Sequence, residues 1–142
     1  MTTIDLEPRW QTAAILIGRL IFAGAFLMAA SFKFLGMQAT ADYISAAGFP
    51  FSYSLARLAF IFESALVTCF LTGAFFSEAC LLAGLYVIFL AFAFHGPSLW
   101  AGNQNEFGFF VDHFTFLAGL LFAAASGPGR VLALRRTFIG KF

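Results

Sequence analysis

Four stretches of mainly apolar residues, at about 10–35, 56–76, 79–95 and 113–127, constrain this chain more than any other feature. A helix rises 1.5 Å per residue, so about 20 such residues cross the roughly 30 Å of hydrocarbon in a bilayer. That layer holds no water, and a helix satisfies its backbone N–H and C=O groups within one segment. The last two stretches are short by this measure and need flanking residues or local thinning of the bilayer. A soluble domain is excluded by composition: 61% of the 142 residues are hydrophobic and 11% are charged, with a mean hydropathy of +0.90. Too little polar surface remains to face water on all sides. The expectation is a single all-α domain over residues 1–142, an integral membrane four-helix antiparallel bundle. The segment "TTIDLEP" before the first stretch is acidic rather than basic, so that stretch reads as a span and not as a cleaved signal peptide.

Charge sets the partners and the orientation. Eight Lys and Arg against seven Asp and Glu leave no excess of positive charge for phosphates, so nucleic acid is not an expected partner, whereas the lipid bilayer is. Four spans bring both termini to one side, which holds Arg9, Arg130, Arg135, Arg136 and Lys141, against Lys33 and Arg57 in the opposite loops. The excess of cations on the cytoplasmic side of membrane proteins then places both termini in the cytoplasm. Cys69 and Cys80 lie in apolar sequence without metal-ligand spacing and read as small buried hydrophobes, so no metal site is expected.

Two longer loops, residues 36–55 and 96–112, fall on the outer side. The first contains a short helix, with Thr40 as N-cap and Gly48 and Pro50 as its stop, expected to be interfacial or re-entrant. The second is polar in the middle and aromatic at its edges, and reads either as a cover over a site or as a plain connector.

Ionisable residues inside the spans carry the functional question. Arg19 and Lys33 stand fourteen positions apart on the first span, close to four helical turns, and so project from nearly the same face. Glu63 is expected roughly two turns into the second span. His95 ends the third span, and Asp112 and His113 open the fourth. Lys33 can extend its ammonium to the interface. An unpaired charge at the depth of Arg19 or Glu63 costs at least about 2.5 kcal/mol. The cheapest resolution is for Arg19 and Glu63 to pair across the first two spans, and Glu63 is expected to be tied to Arg19 or to Lys33. Two readings stay open, a structural ion-pair latch and a site for a ligand, a proton or a quinone. In the second reading Arg19, Lys33, Glu63, His95 and Asp112 line one polar pocket closed by residues 96–110, and His95, Glu63 and Asp112 are the candidates for proton exchange. His95 and His113 both lie near the outer surface, which also raises a bis-His haem, although no haem motif is present.

"GRLIFAGAFLMAASFKF" in the first span, Glu63 in "FIFESALVTCFLTG", "FAFH" ending the third span at His95, and "FGFFVDHFTFLAGLLFAAASGPGR" in the fourth resemble the DoxX family of small four-helix membrane proteins. The resemblance runs from about Leu16 to Arg130. Arg19, Lys33, Glu63, His95 and the Gly127 to Gly129 turn match the family's pattern, whereas Val111 and Asp112 stand where it has Lys and Asn. What the resemblance implies is a multi-pass protein of the bacterial inner membrane linked to redox chemistry. Some such proteins are similar to the small subunit of thiosulfate:quinone oxidoreductase, and others to membrane anchors for soluble redox enzymes. Three function classes stay open: a quinone-associated subunit of a membrane oxidoreductase, with membrane or peripheral redox proteins as partners; a non-catalytic structural or assembly subunit or membrane anchor of a larger complex; and a small-molecule or ion carrier, which the lack of an internal repeat or broken helix pair disfavours. Whether the chain is itself an enzyme is not decided by these residues.

Overall fold

The computed structural model describes residues 9–139. Five α-helices and one short 3-10 turn follow one another: α1 Arg9–Leu35, α2 Met37–Ala46, α3 Ser52–Thr72, α4 Phe76–His95, the turn Pro97–Leu99, and α5 Gln104–Ser126. Helices α1, α3, α4 and α5 are long and apolar enough to cross a membrane. Lys141, counted above with the basic side, lies outside the described residues.

Helices α3 and α5 differ most from the sequence expectation. Helix α3 begins at Ser52 because Phe51 adopts a left-handed conformation (φ 53°) that breaks the chain's direction there. It stops at Thr72 because Gly73 takes φ 74° and donates its N–H back to Cys69 O at 2.8 Å, the left-handed helix end that glycine favours. Helix α5 begins at Gln104 rather than near residue 113, so most of the expected second loop is helical.

Side-chain contacts run in opposite senses along neighbouring helices. Lys33 and Phe26 of α1 meet Glu63 and Phe70 of α3, and Phe92 and Ser77 of α4 meet Phe110 and Ala124 of α5. Each long helix is therefore antiparallel to its neighbours. Helices α1 with α3, and α4 with α5, make the tightest pairs. Between the pairs lies a core of Phe26, Leu66, Phe70, Phe76, Val87 and Leu120, with small residues at Ala23, Ala79, Cys80 and Ala83. Lipid tails are as apolar as leucine, so helices in a bilayer associate through close packing rather than escape from water, and small residues permit it. At Gly84 a Cβ would stand 3.1 Å from Leu117, so that glycine lets α4 and α5 approach. Large apolar residues such as Ile21, Leu85 and Phe122 face outward, as expected for helices solvated by lipid tails.

The two ends of the bundle are covered differently. Beyond α5, residues 127–139 cross the turn between α3 and α4, held by Leu134 N–H to Thr72 O (2.7 Å) and Phe75 N–H to Arg136 O (2.7 Å). At the other end α2 lies against α3, with Ala41 and Ile44 packed on Ala56 and the Tyr43 ring stacked on Phe94 at 5.1 Å. The short helix expected from sequence is present, but Gly36 precedes it as N-cap. Thr40 instead donates its hydroxyl back to Gly36 O (3.1 Å) from inside the first turn.

Candidate functional site

Helix periodicity put Arg19 and Lys33 on one face of α1, and packing gives them different tasks. Arg19 is only 1% exposed. Its guanidinium donates from one terminal nitrogen to Pro128 O (2.8 Å) and Val131 O (3.3 Å), and from the other to Leu132 O (2.6 Å) and Leu71 O (3.4 Å). A planar fork of donors can reach four carbonyls at once, which a lysine cannot. The grouping of Arg19 with Lys33, Glu63, His95 and Asp112 in one pocket is therefore corrected. Arg19 clasps the 127–139 segment at the opposite end of the bundle, through the carbonyls of Pro128, Val131 and Leu132.

Glu63 pairs with Lys33 at 2.8 Å. Because α3 starts at Ser52, Glu63 sits at the middle of this helix rather than two turns from its end. Its Oε1 accepts from both Lys33 Nζ and Tyr86 Oη, each at 2.8 Å. Its Oε2 is buried and takes no hydrogen bond among the described residues. A buried carboxylate oxygen without a donor is unusual, since buried polar atoms nearly always have a partner.

Two cavities adjoin this group. The larger, about 850 Å³, is bounded by Phe32 and Lys33 of α1, Thr40 and Tyr43 of α2, Phe49, Phe62 of α3, Tyr86, Phe89, Phe94 and His95 of α4, and His113 of α5. The smaller, about 280 Å³, is bounded by Ala25 and Phe26, Glu63, Tyr86 and Val87, and Asp112, His113 and Phe116. Ala29, Tyr86, Leu90 and His113 border both. Of the expected set, Lys33, Glu63, His95 and Asp112 thus come to the walls of two neighbouring spaces. Residues 96–110, expected as the cover, border neither; α2 does so instead. The reason is Trp100, which donates its indole N–H to His95 O (2.9 Å) and packs on Phe107 and Phe110, folding the turn onto α5.

Two residues of the site escaped the sequence reading. Tyr86 lies in an apolar run where a tyrosine reads as packing. Glu106 lies in what was expected to be loop, and its Oε2 accepts from His95 Nδ1 at 2.7 Å. A signal for it existed: Asn103 followed three residues later by Glu106, before an apolar run, is the pattern of a helix N-terminus. His113 donates Nδ1–H to Phe109 O (2.6 Å), and its ring lies 5.2 Å from that of His95. Rings so close leave no gap for a porphyrin between them, so the bis-His haem does not fit. Burial, and then the nearby Glu106 carboxylate, raise the Tyr43 phenol above its ordinary pKa, which keeps it a neutral donor at the cavity wall.

The arrangement combines a wide apolar and aromatic space with few polar groups, the usual composition of a small-molecule site. No protein-family model, curated protein or solved structure matches the chain.

Proposed function

We propose that this protein is a membrane-embedded subunit that holds a lipid-soluble ring compound, a quinone, within a membrane oxidoreductase. One observation carries the reading: Lys33, Tyr86 and His95 reach the wall of an 850 Å³ aromatic cavity, within the roughly 300–1,000 Å³ range of small-molecule sites. The aromatic walls suit a flat ring, and the Lys33 ammonium and the Tyr43 hydroxyl suit its carbonyl oxygens, the Tyr86 hydroxyl being engaged by Glu63. His95 and the Glu63 group supply sites for proton exchange. The resemblance to the DoxX family agrees with this role. So does an orientation with both ends of the chain in the cytoplasm of a bacterial inner membrane, which the cations at 130, 135 and 136 favour.

The test is binding of decylubiquinone to the purified protein in nanodiscs. Saturable stabilisation is expected, about 2.7 kcal/mol at a hundredfold excess over Kd, and it should vanish in Ala59→Trp, because Ala59 of α3 borders the larger cavity and an indole there fills it. Membrane quinone reduction in His95→Ala, measured alongside the amount of assembled complex, then separates subunit from site. Lost turnover with normal assembly supports the site; normal turnover sinks it.

A second reading, a structural or assembly subunit, is favoured by the 127–139 segment. Arg19 and Glu78 lock it in place, and Leu132, Leu134 and Phe138 face outward on it, a pre-formed surface for a larger complex.

A further inference from the structure

Residues 127–139 turn large apolar side chains outward: Leu132 and Phe138 are 77% and 85% exposed, and Leu134 and Ile139 are each 59% exposed. Bonds made inward by the backbone fix that direction. Arg19 holds the carbonyls of Pro128, Val131 and Leu132. Glu78 Oε1 accepts from Thr137 Oγ1 (2.7 Å) and from the N–H groups of Phe138 and Ile139. Leu132 is held at φ 49°, a conformation that residues with a side chain rarely adopt. Two charged side chains thus hold an apolar surface outward, where water would disfavour it.

The depth of the segment accounts for this surface. Helix α3 has 21 residues and spans about 31 Å, the thickness of the hydrocarbon layer. The segment bonds to the last residue of that helix, Leu134 N–H donating to Thr72 O. A Cβ at Gly129 would stand 2.9 Å from Ile15, so the segment also lies against α1, about 9 Å inside the level of Arg9. It therefore sits at the boundary between acyl chains and headgroups, with Arg9 and the exposed Trp10 on the headgroup side. Arg130, Arg135 and Arg136 are exposed on the segment itself. Among the described residues the acid at this end is Glu78, already engaged by the segment, so the outer face is cationic. Cations beside outward apolar side chains at that depth form the pattern of an element lying in the plane of a membrane surface.

We infer that residues 127–139 are an interfacial anchor that selects anionic phospholipid. Leu132, Leu134 and Phe138 enter the acyl layer, and Arg136 takes the lipid phosphate in a field that Arg9, Arg130 and Arg135 strengthen. This goes beyond the quinone reading, which concerns the other end of the bundle, and it gives the outward face of the segment to lipid in place of a protein partner.

The test uses the full chain in phosphatidylcholine nanodiscs that hold a trace of phosphatidylglycerol with a photoactivatable acyl chain, followed by peptide mapping. Label should fall on residues 127–139 and be competed by unlabelled phosphatidylglycerol, and a matched photoactivatable phosphatidylcholine should label the segment less. In Arg136→Gln the mole fraction of competitor that halves the label should rise about fivefold, equivalent to roughly 1 kcal/mol for one arginine near a charged surface. Arg136→Lys, which keeps the charge, should shift it less. Thermal unfolding of Arg136→Gln in pure phosphatidylcholine should be unchanged, which separates headgroup binding from folding. Equal labelling by the two lipids overturns the selection, and so does unchanged competition when Arg136→Gln is combined with Arg9→Gln. Label absent from 127–139 with either lipid overturns the anchor and leaves the face to a protein partner. Competition by glycerol 3-phosphate as strong as that by the lipid would assign the arginines to a soluble anion and overturn it as well.

Discussion

The two cations of α1 stand four turns apart on one helix and illustrate two ways for a membrane protein to keep a buried charge. Arg19 spreads its charge over four backbone carbonyls, and its surroundings are filled. Lys33 meets one carboxylate, which it shares with Tyr86, and it borders the larger cavity. Electrostatics alone does not separate them, because both are compensated. What separates them is access to open space, since each end keeps a buried polar atom unbonded among the described residues. At the Arg19 end the 127–139 segment closes over the charge. At the Lys33 end Lys33, Glu63, Asp112, His95 and His113 border the two cavities.

Substitution should exaggerate this contrast. Arg19→Leu should have the largest effect. It removes a buried charged donor from four carbonyls, two of them at 3.3 and 3.4 Å, and loss of about 3–5 kcal/mol is expected in thermal unfolding in detergent. The 127–139 segment should also become protease-sensitive. Arg19→Lys should rescue little, because one ammonium cannot span the carbonyls. If Arg19→Lys is as stable as the original, the clasp is not the reason for the residue.

Glu63→Gln should come next, at about 2–3 kcal/mol, because it strands the Lys33 ammonium, which retains some contact with solvent. The double variant Lys33→Met with Glu63→Gln should lose less than the sum of the single losses. Additive losses would contradict the pairing. Unlike Arg19→Leu, these changes should alter quinone binding before they alter folding.

Gly73→Ala should cost about 1–2 kcal/mol. Its φ of 74° disfavours a side chain, and a Cβ there would meet Ala133 at 2.9 Å under the 127–139 segment. Glu106→Gln should have the smallest effect on unfolding, about 0.2–1 kcal/mol, because the His95–Glu106 pair is partly exposed. A large loss in Glu106→Gln would move the structural weight to the open end and blur the comparison.

Legibility in the sequence followed the same division. The long helices of the bundle could be read because lipid demands unbroken apolar runs, and α1 and α4 were placed within a few residues on that signal alone. Helix α3 was started late because "SYSLAR" at its beginning is not apolar, and this error moved Glu63 towards the surface. The first two turns of α5 were hidden by "NQNEFG", where polarity outweighed the helix-start pattern of Asn103 and Glu106. That Glu63 pairs with a cation of α1 was legible because opposite charges at membrane depth must meet, but the sequence left Arg19 and Lys33 both open and the structure chooses Lys33. The partners of Arg19 were not, since they are backbone carbonyls of residues 71 and 128–132 and leave no mark on the side-chain sequence. Tyr86 joined the site only through its neighbours across the bundle.

The division of α1 into a clasped end and a working end is tested most directly by photocrosslinking an azido-quinone to the protein in nanodiscs, followed by peptide mapping. Label competed by decylubiquinone should fall on peptides containing Tyr43, Phe49, Phe89 or Phe94, which border the larger cavity, and should disappear in Ala59→Trp. Label confined to the 127–139 segment, or spread over the lipid-facing surface and indifferent to competitor, would contradict it.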